Sequence, residues 1–156
     1  MKKIIIALIA MLLAISCINK ANDNKWEKTM DGIFRTTCID DPSIEPFTSD
    51  GEVTIDMNFD KNNSVNFILS GVKFSPMMPA INFALANIPY TVIDDNGTWA
   101  FDVKQIVPYV GGVPREDYTL EQFKGQMTSN TLSLDFNITT HGNTYSVRFT
   151  HDKTEE

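Results

Sequence analysis

Cysteine is scarce in this chain: two among 156 residues, Cys17 and Cys38. Histidine is as scarce, with only His141 and His151. Two cysteines and two histidines so spaced do not make a zinc site of the usual composition, so no metal and no cofactor is expected. Basic side chains are in deficit, 13 Lys and Arg against 20 Asp and Glu, for a net charge of −7. Such a surface repels phosphates and disfavours nucleic-acid binding. A long hydrophobic run is absent too. The apolar stretch 4–15 falls short of the roughly 20 residues that a membrane-spanning helix needs. No G-x-S-x-G elbow is present, and no nucleophile, base and acid share a motif. The chain is therefore not expected to be an enzyme.

What the N-terminus does contain is ordered in three parts. Met1, Lys2 and Lys3 are followed by the apolar 4–15 and by the small Ser16. A basic start, a short greasy core and a small-residue exit make a secretory signal peptide over 1–16. Removing it leaves enough chain for one domain and makes the charge two units more negative. The run Ala14-Ile15-Ser16-Cys17 resembles a bacterial lipobox. It departs from the pattern at Ala14, where Leu is commoner. The resemblance implies that Cys17 is cut free, joined to diacylglycerol through its sulfur and acylated on its nitrogen. Several acyl chains anchor a protein stably where one holds it marginally. Ile18 rather than Asp follows, which implies the outer membrane. The alternative is a secreted protein whose first mature residue is Cys. Residues 17–29 are polar and lack an apolar pattern, so they are expected to tether a domain spanning 30–156.

From residue 51 apolar and polar side chains alternate. Val53, Ile55, Met57 and Phe59 interleave with Thr54, Asp56, Asn58 and Asp60. Leu132, Leu134, Phe136 and Ile138 do the same, as do Tyr145, Val147 and Phe149. A period of two is a half-buried strand. Turn sequences "DKNNS" (60–64), "DDNG" (94–97), "TSN" (128–130) and "THGN" (140–143) separate such runs. They suit tight hairpins and so an antiparallel meander. The pattern predicts about eight strands near 31–38, 52–60, 64–71, 81–86, 88–94, 97–104, 121–127 and 131–139. A ninth, 143–150, is counted if 81–94 is one bent strand. Pro89 predicts a bulge or an edge. The segment 114–123 holds at most a helical turn. The class is all-β, and short turns favour an up-and-down barrel. The longer connections 72–80 and 105–118 keep a β-sandwich as the alternative.

The segments "VNFILSGVKFSP…INFALANIPYTVIDDNGTWAFD" and "GQMTSNTLSLDFNITTHGNTYSVRFTH" resemble the calycin-like β-barrel lipoproteins of Bacteroides-type bacteria. The likeness covers roughly residues 30–151. It lies in strands and turns and not in a catalytic motif. It implies a lipocalin-like barrel and leaves activity open.

Candidate sites follow from the loops. "KFSPMMPAINF" sets Met77 and Met78 between prolines, and "QIVPYVGGVPRED" sets Tyr109 and Val110 before a Gly111-Gly112 hinge. Methionines adapt to varied apolar partners, so these four residues are expected either to gate a ligand cavity or to plug the barrel end. Trp26, Trp99 and the phenylalanines either line a pocket or fill the core. Asp56, Asp60, Asp94, Asp95 and Asp135 are expected to be solvated, and the turns to need no Ca²⁺. Cys38 with His151 is the one conceivable nucleophile and base. The expected function is an exported lipoprotein, membrane-bound through Cys17, whose barrel binds an apolar small molecule or lipid. The alternative is a structural or protein-interaction module of the cell envelope, docking through an edge strand or the apolar loop 76–79.

Overall fold

The computed structural model describes residues 25–58 and 63–151. The expected leader 1–16, Cys17 and most of the turn after residue 58 lie outside them. Eleven strands follow one another: β1 (Lys25–Cys38), β2 (Phe47–Asn58), β3 (Ser64–Val72), β4 (Ile81–Pro89), β5 (Thr91–Asp94), β6 (Thr98–Ile106), β7 (Tyr109–Val110), β8 (Val113–Pro114), β9 (Leu120–Met127), β10 (Leu132–Thr140) and β11 (Asn143–His151). All pair antiparallel in a single sheet, in the order β5-β6-β9-β10-β11-β1-β2-β3-β4-β7-β8. The only helical piece among the described residues is a 3-10 turn at Glu116–Tyr118, inside the segment where one turn was expected.

Alternation and turn chemistry dictate this curl. Val53, Ile55 and Met57 point inward and are fully buried, as are Leu134, Ile138, Val147 and Phe149 on β10 and β11. His141 and Gly142 both take positive φ (52° and 82°) between the paired Thr140 and Asn143, the geometry of a two-residue hairpin. β11 then pairs with β1, Ile33 opposite Thr150 through Cys38 opposite Tyr145, so the last strand returns to the first.

Three expectations are corrected. Among the described residues the strands number eleven and not about eight, and the sheet is an unclosed half-barrel. It is also one sheet, not the two layers of a sandwich. The extra strands are short margin pieces. β4 carries β7 on its free side through Ala84 and Tyr109, and β6 carries β5 through Thr91 and Ala100. With these ribbons attached, β4 and β6 touch but share no ladder among the described residues. The break in 81–94 falls at Tyr90, whose amide donates to the Asn63 carbonyl at 3.1 Å. The bulge lies just before Pro89, at Ala86–Asn87, where Asn87 has φ 57°. β1 begins at Lys25, where Lys25 to Met30 pair in register with Asn58 to Val53.

The concave face is packed along its length. In the middle Phe67, Phe101, Phe123 and Phe136 meet, with Phe67 to Phe101 at 5.0 Å, Phe67 to Phe123 at 5.9 Å and Phe123 to Phe136 at 6.2 Å between ring centroids. At the end of the half-barrel bearing the 73–80 loop, Phe74 lies 5.5 Å from Tyr145, 6.4 Å from Phe83 and 6.5 Å from Tyr118. At the opposite end Trp26 of β1 and Trp99 of β6 reach towards each other to 6.1 Å. Each buried phenylalanine contributes about 1.5–3 kcal/mol by leaving water.

Candidate functional site

Beyond the pair Glu52–Ser70 the ladder between β2 and β3 stops. There the register between β3 and β4 shifts, between Leu69 and Val72, around Gly71, which takes φ +91° and lies so close to the Asp50 carbonyl that a Cβ there would sit 2.7 Å from it. Only glycine tolerates both constraints. β2 runs on alone for Phe47–Gly51, held by β1 on one side and by no strand on the other among the described residues. A groove of about 480 Å³ opens along that free edge. Ile33, Phe47, Thr48, Ser49 and Asp50 form one wall, and Gly71, Lys73, Pro76 and Ala80 form the other.

Short hydrogen bonds hold the second wall in place. The Thr36 hydroxyl, itself buried, donates to the Lys73 carbonyl at 2.9 Å. The Ser49 hydroxyl donates to the Gly71 carbonyl at 3.2 Å, and the Gly71 amide to the Asn82 side-chain carbonyl at 3.2 Å. Phe74 points into the core and pins the base of the loop. The groove thus presents a strand edge with no ladder partner among the described residues beside apolar surface, with Lys73 and Asp50 offering opposite charges. That combination suits an extended peptide added as a strand, where main-chain bonds give affinity and side-chain pockets give specificity.

The loop residues singled out from the sequence divide by role. Met77 is 94% exposed, beside Pro76 of the groove wall. Met78 packs against the core, and its amide donates to the Ser75 carbonyl at 3.2 Å. Tyr109 is exposed on β7 and Val110 packs inward. Gly111 and Gly112 form the tight turn joining β7 to β8, where Val110 faces Val113. Cys17 lies outside the described residues.

The other candidates are placed apart or spent on structure. Cys38 is buried opposite Tyr145, whereas His151 sits at the other end of the sheet, its Nδ1 against the Asp31 carbonyl. Asp94 accepts from the Thr98 hydroxyl at 2.8 Å, the Asn96 amide at 3.0 Å and the Thr98 amide at 3.2 Å. The Thr98 hydroxyl chiefly holds its carboxyl below the ordinary value of 3.8. Asp135 pairs with Arg148 at 2.6 Å on the outer face. Asp60 lies outside the described residues. Among the described residues no three His, Cys, Asp or Glu side chains gather as metal ligands, and every buried side-chain polar atom has a partner.

Phe47, Thr48, Ser49, Asp50 and Lys73 were not foreseen as a site. The available signal was "TSDG" (48–51) and "SGVK" (70–73), whose glycines, twenty residues apart, interrupt otherwise alternating strands. Comparison of the chain with family models, with curated proteins and with solved structures finds no match. No helix among the described residues is long and apolar enough to cross a membrane.

Proposed function

We propose that this protein is an exported, lipid-anchored interaction module of the cell envelope that captures an extended segment of a partner protein in the groove beside β2. One contrast carries the proposal. The concave face is filled by aromatic rings, while a groove of about 480 Å³ lies open on the free edge of β2. An apolar ligand held inside the sheet would have to displace packed phenylalanines, each with a cavity cost. A partner strand in the groove displaces only water. It also takes the ladder position beside Phe47–Gly51 that no described strand fills.

The anchor and the outer-membrane location rest on the lipobox resemblance at Cys17. The strand order supports kinship with calycin-like barrels, since β1 to β4 and then β6, β9, β10 and β11 follow one another round the curl. In this reading the family's barrel is opened at the margin between β4 and β6.

A photoreactive residue in place of Thr48, in cells making the full chain, tests the proposal. Thr48 is exposed and lines the groove. The expected result is one discrete crosslinked species in the envelope fraction. The same probe at exposed Lys124 on β9 should give none. No adduct at Thr48 beyond that control overturns the proposal.

A further inference from the structure

The end of the half-barrel opposite the groove carries apolar surface that nothing in the fold uses. Val92 and Ile93 of the margin strand β5 are 63% and 52% exposed. Val92 stands opposite Trp99 in the β5–β6 ladder, and Trp99 meets Trp26 across the mouth. Both tryptophans are only half-buried. Lys28 belongs to the same end, donating from its ammonium to the Ser129 carbonyl. Two tryptophans, two aliphatic side chains and a lysine at one rim make the composition that settles at a membrane interface.

The chain itself brings a bilayer to this rim. β1 begins at Lys25, at the same end, and Lys25 is eight residues from Cys17. Eight residues span about 28 Å when fully extended. A strand of nine residues, such as β3, is about 30 Å long. The tether therefore cannot lay the far end of the half-barrel on the lipid as easily as the near one.

We infer that the Trp26–Trp99 rim, with Val92 and Ile93 of β5, rests on the headgroup layer of the membrane that holds Cys17. The inference rests on the anchor reading of Cys17. Its occupant is the bilayer surface, not a second protein. Asp94 and Asp95, at the tip of the same β5–β6 hairpin, keep the contact in the hydrated headgroup layer and out of the acyl chains, so it is interfacial and not inserted. The groove beside β2, at the other end, then faces away from the lipid and towards envelope proteins.

Trp26 and Trp99 are the only tryptophans, so the protein's indole emission reports on this rim alone. The full acylated chain is placed in vesicles of phosphatidylethanolamine with a minor share of phosphatidylglycerol. Part of the lipid carries a nitroxide near the headgroup end of its acyl chain. The expected result is a blue-shifted emission that the nitroxide lipid quenches, with the quenching lost in the V92D/I93D variant. That variant changes two exposed side chains, and its circular dichroism should match the parent. Mass spectrometry of the same preparation reads the acyl groups on Cys17. A chain without them removes the anchor reading and this inference with it. A chain that carries them and floats with the vesicles, yet shows unquenched tryptophan, overturns this inference alone. Quenching that survives in V92D/I93D overturns the contact through β5.

Discussion

The ring of Phe67 on β3 stands edge-on to the ring of Phe101 on β6, 5.0 Å away at 87°. The pair bridges the margin where β4 and β6 have no ladder between them. Side-chain packing therefore does there what hydrogen bonds do between every other pair of neighbours in the curl.

Removing one ring should open that margin. Phe101→Ala is expected to cost about 3–5 kcal/mol, from lost burial and the cavity left behind. Urea unfolding measures it as a lower midpoint. A loss below about 1 kcal/mol would mean the margin contributes no more than an ordinary surface position.

Gly51 and Gly32 face each other across β1 and β2, and each lies under a ring. A Cβ at Gly51 would sit 2.2 Å from Cδ2 of Phe34, and one at Gly32 would sit 2.6 Å from Cζ of Phe149. Those two rings are themselves 4.9 Å apart. Gly51→Ala should destabilise by about 1–3 kcal/mol through overpacking. Phe34→Leu in the same chain should recover part of that loss, giving a non-additive double-mutant cycle. Strict additivity would show that the ring does not set the requirement for glycine.

Asp94 should mark the acid limit of the β5–β6 hairpin. Its carboxyl is held below 3.8 by the Thr98 hydroxyl and by amides of the turn. Its folded value is thus lower than its unfolded one. The contribution to stability is complete above about 3.8 and is lost as pH falls through the folded value below it. Nuclear magnetic resonance should show the Thr98 amide shift titrating in that lower window. In Asp94→Asn the step should vanish.

Met77 separates folding from docking. Its side chain is almost wholly in solvent, so Met77→Asp should change stability by no more than about 0.5 kcal/mol. The same change, beside the groove wall at Pro76, should diminish the crosslink from position 48. A crosslink of unchanged yield would place the partner contact elsewhere.

The strands with the strongest alternation were legible without coordinates. Val53 to Met57, Leu132 to Ile138 and Tyr145 to Phe149 repeat every two residues, and hairpin residues bound them. β1 was cut short because Lys28, standing opposite the buried Ile55, breaks the apolar series between Trp26 and Met30. β7 and β8 have two residues each, too few to carry a period. Neither the margin between β4 and β6 nor the groove was visible. The first depends on which short ribbons occupy the free edges. The second depends on the positive φ of Gly71, which no hydrophobic pattern encodes. Met77, Met78, Tyr109 and Val110 were expected to gate a cavity or plug the barrel end; Met77 and Tyr109 lie exposed, whereas Met78 and Val110 turn back on the core.

Native mass spectrometry of the full chain, extracted gently from the envelope, tests most directly whether the protein acts from its outside. The prediction is one dominant mass, the acylated polypeptide beginning at Cys17, with no stoichiometric small molecule retained. A one-to-one apolar adduct that survives extraction and dissociates on unfolding would contradict it, for it would show that the phenylalanine-filled concave face opens to hold a ligand.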